Sequence, residues 1–191
     1  ATKLTSDKLF VAANNIKGRN PIKFSVVRYG NVMGSNGSVI PFFINKRKKE
    51  CILPITDPNM TRFNISLQGG VDMVMHALEH AWGGEIFIPK IPSCTVGEIA
   101  NIIAPSCEWE ITGLRPGEKM HETLIPEDES RNVLEFNDHF VIQPIKSFWG
   151  NKIGIKGGKK CEQGFVYASN NNSEHCTESA LKGLLKDFIQ Q

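Results

Sequence analysis

Apolar positions along this chain fall into two kinds of run. Leu67, Val71, Val74, Met75, Leu78 and Trp82 recur at helical spacing behind the possible cap Ser66 and ahead of Gly83-Gly84, which predicts a helix. Thr95 to Ala104 reads as a second helix, with Thr95 as its cap and Glu98 three places on as a capping box. Glu178 to Ile189 is a short amphipathic helix, and Ala1 to Asn14 is a run of helix formers that stops at Asn14-Asn15 and Gly18. The other kind is short and β-prone: Phe24 to Val27, Cys51 to Ile55, Thr61 to Ile65, Glu85 to Pro89, Trp109 to Leu114 and Phe140 to Ile145. In Thr61 to Ile65 the alternation puts Arg62 on one face and Phe63 on the other. Strand, loop and helix in repetition are the rhythm of an α/β fold and predict parallel strands. Beyond Ser130 the pattern degrades, and Gly154 to Lys160 reads as a surface loop.

The most informative stretch runs from Val26 to Phe43. A strand enters a loop punctuated by Gly30, Gly34 and Gly37, and the loop enters an apolar helix at Ser38. Ser38 is placed to cap that helix, and Pro41 falls in its first turn, where a missing N–H removes no intrahelical bond. The free amides and positive end of such a helix suit a phosphate, at the carboxyl end of a strand where open α/β sheets bind ligands. Taken alone, a glycine-rich loop after a strand is more often a simple turn.

Arg115-Pro116-Gly117-Glu118 is the second cluster. Pro116 and Gly117 make a tight turn from which Arg115 and Glu118 project, a guanidinium suited to phosphate and a carboxylate suited to sugar hydroxyls. The same two residues could form a local exposed ion pair contributing under about 1 kcal/mol. Arg62 raises the same question. His76 and His80 lie one helical turn apart without the glutamate or third ligand of a metal site, so they read as a polar helix face and no metal is expected. His121, His139 and His175 are isolated, and no Ser/His/Asp or Cys/His arrangement supports a hydrolase.

Composition narrows the setting. At 191 residues and 40% hydrophobic, the chain can fill the core of one domain, or of one and part of another. A net charge of +2 gives no ground for nucleic acid, and Lys46-Arg47-Lys48-Lys49 reads as cations offsetting the negative end of the helix begun at Ser38. No apolar run reaches the roughly 18 residues of a membrane span, so a soluble, cytoplasmic protein is the expectation. Five cysteines without a Cys-x-x-Cys pair argue against a zinc knuckle and a disulfide framework, and for a reducing compartment. The chain opens in mid-helix with no cap residue, which predicts that it is the downstream piece of a longer protein.

Five blocks, in order, resemble the downstream half of the inverting UDP-N-acetylglucosamine 4,6-dehydratases, which are extended short-chain dehydrogenase/reductases. The blocks are Ala1 to Lys8, Arg28 to Val32 with Gly37 to Pro41, Met60 to Phe63, Gly84 to Lys90 and Arg115 to Lys119, so the resemblance reaches to about Gln143. It implies an α/β fold: the carboxyl-terminal part of a Rossmann domain holding NADP, with a smaller domain holding a UDP-sugar. Residues 1–36 would end the Rossmann domain, 37–145 would be mainly the UDP-sugar domain with 85–104 returning to the Rossmann sheet, and 146–191 would be a tail with a short helix.

The family reaction oxidises C4 of the sugar, eliminates water across C5 and C6, and reduces C6 with inversion at C5, opening pseudaminic acid and some capsule or O-antigen pathways. The family signature Tyr-x-x-x-Lys places Lys3 as the lysine that holds the nicotinamide ribose and lowers the tyrosine's pKa. That tyrosine would fall two residues before Ala1, with the acid/base pair and the glycine-rich cofactor loop further upstream, so this chain alone is expected to be inactive. The resemblance also implies cofactor contacts at Arg28 and Tyr29, and sugar or diphosphate contacts at Asn31, Ser38, Val39, Ile40 and Pro41. Arg62 and Arg115 would bind the diphosphate, and Glu118 the ribose. The family tail carries a Trp after its Asn-rich run, where this chain has Asn170 to His175. A homo-oligomer is expected. The alternatives are a nucleotide-sugar 4-epimerase of the same family and a catalytically dead UDP-sugar-binding fragment.

Overall fold

The computed structural model describes residues 2–144 and 155–189. In chain order its elements are α1 (Thr2–Ala13), β1 (Val26–Val27), β2 (Asn31–Val32), α2 (Val39–Lys49), β3 (Ile52–Ile55), β4 (Thr61–Ile65), α3 (Leu67–His80), β5 (Ile86–Pro89) and β6 (Ser93–Thr95). Then follow α4 (Val96–Ile103), β7 (Glu108–Ile111), β8 (Thr123–Ile125), a 3-10 turn (Glu127–Asn132), β9 (Val133–Glu135), β10 (His139–Ile142), β11 (Lys159–Lys160), β12 (Tyr167–Ala168) and α5 (Glu178–Ile189). The expected α/β class is what forms. The segments gather into two compact units, one of Ala1–Tyr29, Gln68–Lys90 and Leu124–Val166, the other of Gly30–Leu67, Ile91–Thr123 and Tyr167–Gln191.

The first unit is built on a five-stranded sheet in the order β1-β5-β10-β9-β11. β1 runs parallel to β5 with Val26 opposite Ile86, whereas β10 is antiparallel to both β5 and β9. The expectation of parallel strands holds for β1 with β5, β2 with β4 and β3 with β7, and fails for β4 with β6, β5 with β10 and β9 with β10; the last pair is joined by a tight turn in which the Phe136 amide donates to the His139 carbonyl at 2.8 Å. Phe87 and Val141 bury one face of the sheet against Met73 and Ala77 of α3. The helix buries Gly70, Met73 and Ala77 and leaves the periodic set Leu67, Val71, Val74, Met75 and Leu78 exposed. Those apolar positions announce the helix but do not seat it on the sheet. It stops at His80, short of Trp82, because the buried Glu85 carboxylate accepts the amides of Trp82 and Gly83 at 2.9 Å each.

The second unit surrounds a core that includes Ile40 and Phe43 of α2, Leu53 and Ile55 of β3, Ile99 and Ile103 of α4, and Leu181 and Leu185 of α5. β3 and β7 pair in parallel, Ile52 opposite Glu108. That register sets the preceding residues side by side, and Cys51 and Cys107 form a disulfide with their Cα atoms 4.7 Å apart. The expectation of no disulfide is corrected here. The partners lie 56 residues apart, so only the strand pairing reveals them. Cys94, Cys161 and Cys176 remain free.

Some expected limits move. The first strand shortens to Val26–Val27, and β7 ends before Gly113, whose φ of 78° cannot continue a strand. β10 covers His139–Ile142, and Lys159–Lys160 of the expected surface loop forms β11. Ala1, Ile145 and Gly154 lie outside the described residues. Among the described residues no helix is long and apolar enough to cross a membrane.

Candidate functional site

α2 is preceded by the loop that Gly34 and Gly37 turn with positive φ, and its cap position is Ser38. The expected capping bond is absent: the Ser38 side chain makes no cap hydrogen bond, and among the described residues its buried Oγ has no partner. Pro41 removes one of the two possible donors. It occupies the third helical position, one of the two whose amide a cap oxygen normally accepts, and it has no N–H. The amides of Val39 and Ile40 have no intrahelical acceptor either. A buried hydroxyl and two open amides at the positive end of an eleven-residue helix match what an anion requires. At the other end the basic run closes the helix, Lys46 pairing with Glu50 and Arg47 donating to the Ile103 carbonyl at 2.7 Å.

β4 gathers the remaining candidates of the second unit. β2 lies parallel to it, with Asn31 opposite Asn64. The two backbones approach closely at Gly30, where a Cβ would collide with the Phe63 Cβ and lie 2.6 Å from its carbonyl oxygen. From the other side, Arg62 reaches the segment that follows the Arg115-Pro116-Gly117-Glu118 turn. Its Nη1 donates to the carbonyls of Thr61 at 2.7 Å and Met120 at 3.1 Å, and its Nη2 to Lys119 at 3.0 Å. Nη2 also contacts the Met60 sulfur, and Nε faces the Glu122 carboxylate at 3.8 Å.

Arg115 differs in every respect. It is exposed, and among the described residues its guanidinium makes no ion pair, so the local pair with Glu118 does not form. Glu118 instead closes the turn on itself: its carboxylate accepts the Arg115 amide at 3.1 Å, and its own amide donates to the Arg115 carbonyl at 3.0 Å. Gly117, with φ of 83°, makes that turn possible.

A polar knot that sequence reasoning did not find fixes the same segment. Thr61 Oγ1 bonds His121 Nδ1 and Ser169 Oγ, each at 2.7 Å, while the Glu122 amide donates to Ser169 Oγ at 2.9 Å. Thr61 and Ser169 are buried and 108 residues apart, so no local pattern links them.

The first unit holds Lys3, Arg28 and Tyr29. Lys3 is exposed on α1, and Tyr29 is partly exposed. Arg28 is largely buried: Nε donates to Asp7 at 2.9 Å, and Nη1 to Glu129 and the Leu124 carbonyl at 2.7 Å each, leaving Nη2 buried and, among the described residues, unpartnered. Lys8 also pairs with Glu129. Burial pushes the Glu129 carboxyl up, but the hydrogen bonds from Arg28 and Lys8, with their charges, outweigh it and hold it below the usual carboxylate range. Tyr167, the other tyrosine of the chain, is a structural residue. Its hydroxyl donates to the Ile91 carbonyl at 3.1 Å and accepts the Ile91 amide at 3.0 Å, and burial pushes it up to about 12. No group of three or more metal-ligating side chains is found among the described residues.

Residues 1–144 match the family model described as "Polysaccharide biosynthesis protein". The chain is 49% identical to a UDP-N-acetylglucosamine 4,6-dehydratase (inverting) from Campylobacter jejuni subsp. jejuni, covering 97% of this chain and 58% of that protein. It is 36% identical to a UDP-glucose 4-epimerase from Rickettsia conorii, covering 100% of this chain and 58% of the other. Among solved structures, the X-ray structure of Pen from Bacillus thuringiensis superposes with a TM-score of 0.82 at 34% identity, over 97% of this chain and 56% of that one. The chain thus spans somewhat over half the length of these relatives.

Proposed function

The chain belongs to the polysaccharide biosynthesis protein family, and from that premise we propose that it is the UDP-sugar-binding part of an inverting UDP-N-acetylglucosamine 4,6-dehydratase, a lyase. Its fold is that of the carboxyl-terminal part of a Rossmann-type extended short-chain dehydrogenase/reductase. The first unit contributes the end of the cofactor domain in this reading, and the second unit is the substrate domain. The observation that carries the proposal is the buried Ser38 hydroxyl at the start of α2, which has no partner among the described residues. An alcohol with no protein acceptor, beside two open amides, suits a diphosphate oxygen. Val39 and Ile40 supply those amides, Pro41 offers the hydroxyl no N–H, and Asn31 faces the sugar from β2. Arg115 and Arg62 form the cationic side, and Glu118 anchors the ribose.

The residues of the first unit fit a nicotinamide cofactor, taken to be NADP, in two ways. Among the described residues the Lys3 ammonium carries no ion pair, so it is available to a ribose hydroxyl, and the orphaned Nη2 of Arg28 suits a polar group from outside these residues. Tyr29 would lie beside them. NADP supplies the hydride acceptor when bound; Lys3 supplies a fixed positive charge that holds the ribose and lowers a neighbouring tyrosine's pKa. A bacterial-type surface glycan pathway such as that of pseudaminic acid, a cytoplasmic site and self-association belong to the same proposal.

A 4-epimerase is the second reading, favoured by the 36% identity to such enzymes. The full-length protein containing this chain, given UDP-N-acetylglucosamine and NADP, should form a 4-keto-6-deoxy product lighter by one water. A C4 epimer alone would overturn the dehydratase assignment.

A further inference from the structure

We infer that Phe188 of α5 is a positioning residue: its ring lies on the bare backbone of Gly34 and holds in place the loop that presents Ser38 and the Val39 and Ile40 amides. The inference rests on the UDP-sugar site proposed above and gives α5 a task at it. Gly34 turns the chain with φ of 69° and is half-buried. Chain neighbours aside, the three heavy atoms nearest to where its Cβ would stand all belong to the Phe188 ring, and a methyl group there would fall onto that ring. Two demands coincide at this position, a left-handed backbone and a surface without a side chain, and glycine meets both. The bonds of the loop itself are local: the Ser35 amide donates to the Val32 carbonyl at 3.2 Å, and the Ser38 amide to the Ser35 carbonyl at 3.0 Å. Ser35, Asn36 and Gly37 are exposed, and nothing stands within 4 Å of the place of a Cβ at Gly37. The ring therefore meets the loop at its one half-buried turn, just ahead of Ser38.

The helix that carries the ring is itself well seated. Leu181, Leu185 and Phe188 recur on one face of α5, and the two leucines are fully buried in the core of the second unit. Phe188 packs at the margin of that core and is half-buried. At the next residue the Ile189 carbonyl accepts Nη2 of Arg47, near the carboxyl end of α2, at 3.4 Å, while Nη1 of the same side chain reaches Ile103 of α4. The last turn of α5 thus meets α2 through Arg47 and the loop before α2 through Gly34. Because the leucines seat the helix, the ring at its margin matters more to the loop than to the core. Without it, a stretch with two positive-φ glycines, Gly34 and Gly37, would have to be ordered at the moment of binding, which lowers affinity.

The test uses the full-length protein with UDP as the probe, its Phe188→Ala variant and, from the same helix, Leu184→Ala, which alters an exposed side chain. In ligand-free Phe188→Ala, hydrogen exchange at the Ser35, Gly37 and Ser38 amides should rise about tenfold, while α4 stays as protected as in the unsubstituted protein. UDP binding should weaken about three- to tenfold, the worth of one aromatic contact, and Leu184→Ala should change neither quantity. In a Ser38→Ala background the loss caused by Phe188→Ala should be smaller, because the two residues serve one site. A ring that only fills the core would lower the denaturation midpoint and leave loop exchange and UDP affinity of the folded protein as they were. Unaltered loop exchange, unaltered affinity, a like effect from Leu184→Ala, or an equal loss in the Ser38→Ala background would each overturn the inference. If the unsubstituted protein does not bind UDP, the UDP-site reading fails, and the ligand-free exchange decides by itself whether Phe188 holds the loop. Should Phe188→Ala not fold, Phe188→Leu keeps the core filled but takes the flat ring off Gly34, and the same two measurements decide.

Discussion

Arg62 donates through Nη2 to the backbone carbonyl of Lys119 at 3.0 Å, across 57 residues of chain. This bond ties the start of β4 to the turn that carries Arg115 and Glu118. Residues that are far apart in sequence thereby share one compact unit with Asn31 and the amino end of α2.

Gly30 is where the second unit tolerates least change. Its missing Cβ leaves room for the Phe63 backbone, whose carbonyl oxygen would lie 2.6 Å from an added methyl, and a backbone cannot rotate away as a side chain can. Gly30→Ala should destabilise the protein by about 2 to 3 kcal/mol, read by chemical denaturation. It should also weaken UDP binding, because Asn31 is the next residue. A variant as stable as the parent would mean that β2 and β4 are further apart than described.

The Arg28 network makes a second prediction. Arg28→Met removes two donors from a largely buried site and leaves Glu129 to Lys8 alone. The expected cost is about 3 kcal/mol, because a buried carboxylate loses its main partner. Adding Glu129→Gln should recover part of that loss in the same denaturation assay. A double variant less stable than Arg28→Met would show that Glu129 is held by other groups.

Stability should also depend on pH through His76. Its ring stacks on His80 at 4.2 Å and meets the edge of His139 at 4.7 Å. Burial first, then the charges of His139 and His80, hold its pKa below the ordinary value against the opposing pull of Asp138 and Glu79. The unfolded chain therefore takes up the proton first as pH falls. The stabilisation is fully present above the unfolded pKa of about 6.5 and is lost as pH drops through the lower folded value. His76→Gln should flatten the fall in denaturation midpoint between about pH 7 and 5, and equal slopes in the two proteins would count against this origin.

Much of this was legible in the sequence where a local pattern suffices. α4 was marked by the Thr95–Glu98 capping box, which forms with both bonds in place, and α5 by its amphipathic spacing. The strands of two or three residues, such as β6, β9 and β12, are too short for alternation to reveal. The Cys51–Cys107 bond was hidden because it follows from the register of two distant strands. At the site, Ser38 and Arg115 stood out as residue types suited to a phosphate. The bonds of Arg62 did not, because its partners at Thr61, Lys119 and Met120 are backbone carbonyls, which every residue possesses. Equally, Leu67 and Leu78 announced α3 while Met73 and Ala77 seat it, since spacing shows that a face exists and not what covers it.

The account turns on where a nucleoside diphosphate binds, and a crystal structure of the full-length protein with UDP measures that directly. The diphosphate oxygens should lie within about 3 Å of Ser38 Oγ and the Val39 and Ile40 amides, with the Arg115 guanidinium against them. A diphosphate bound elsewhere, with Ser38 Oγ still unpartnered, would contradict it.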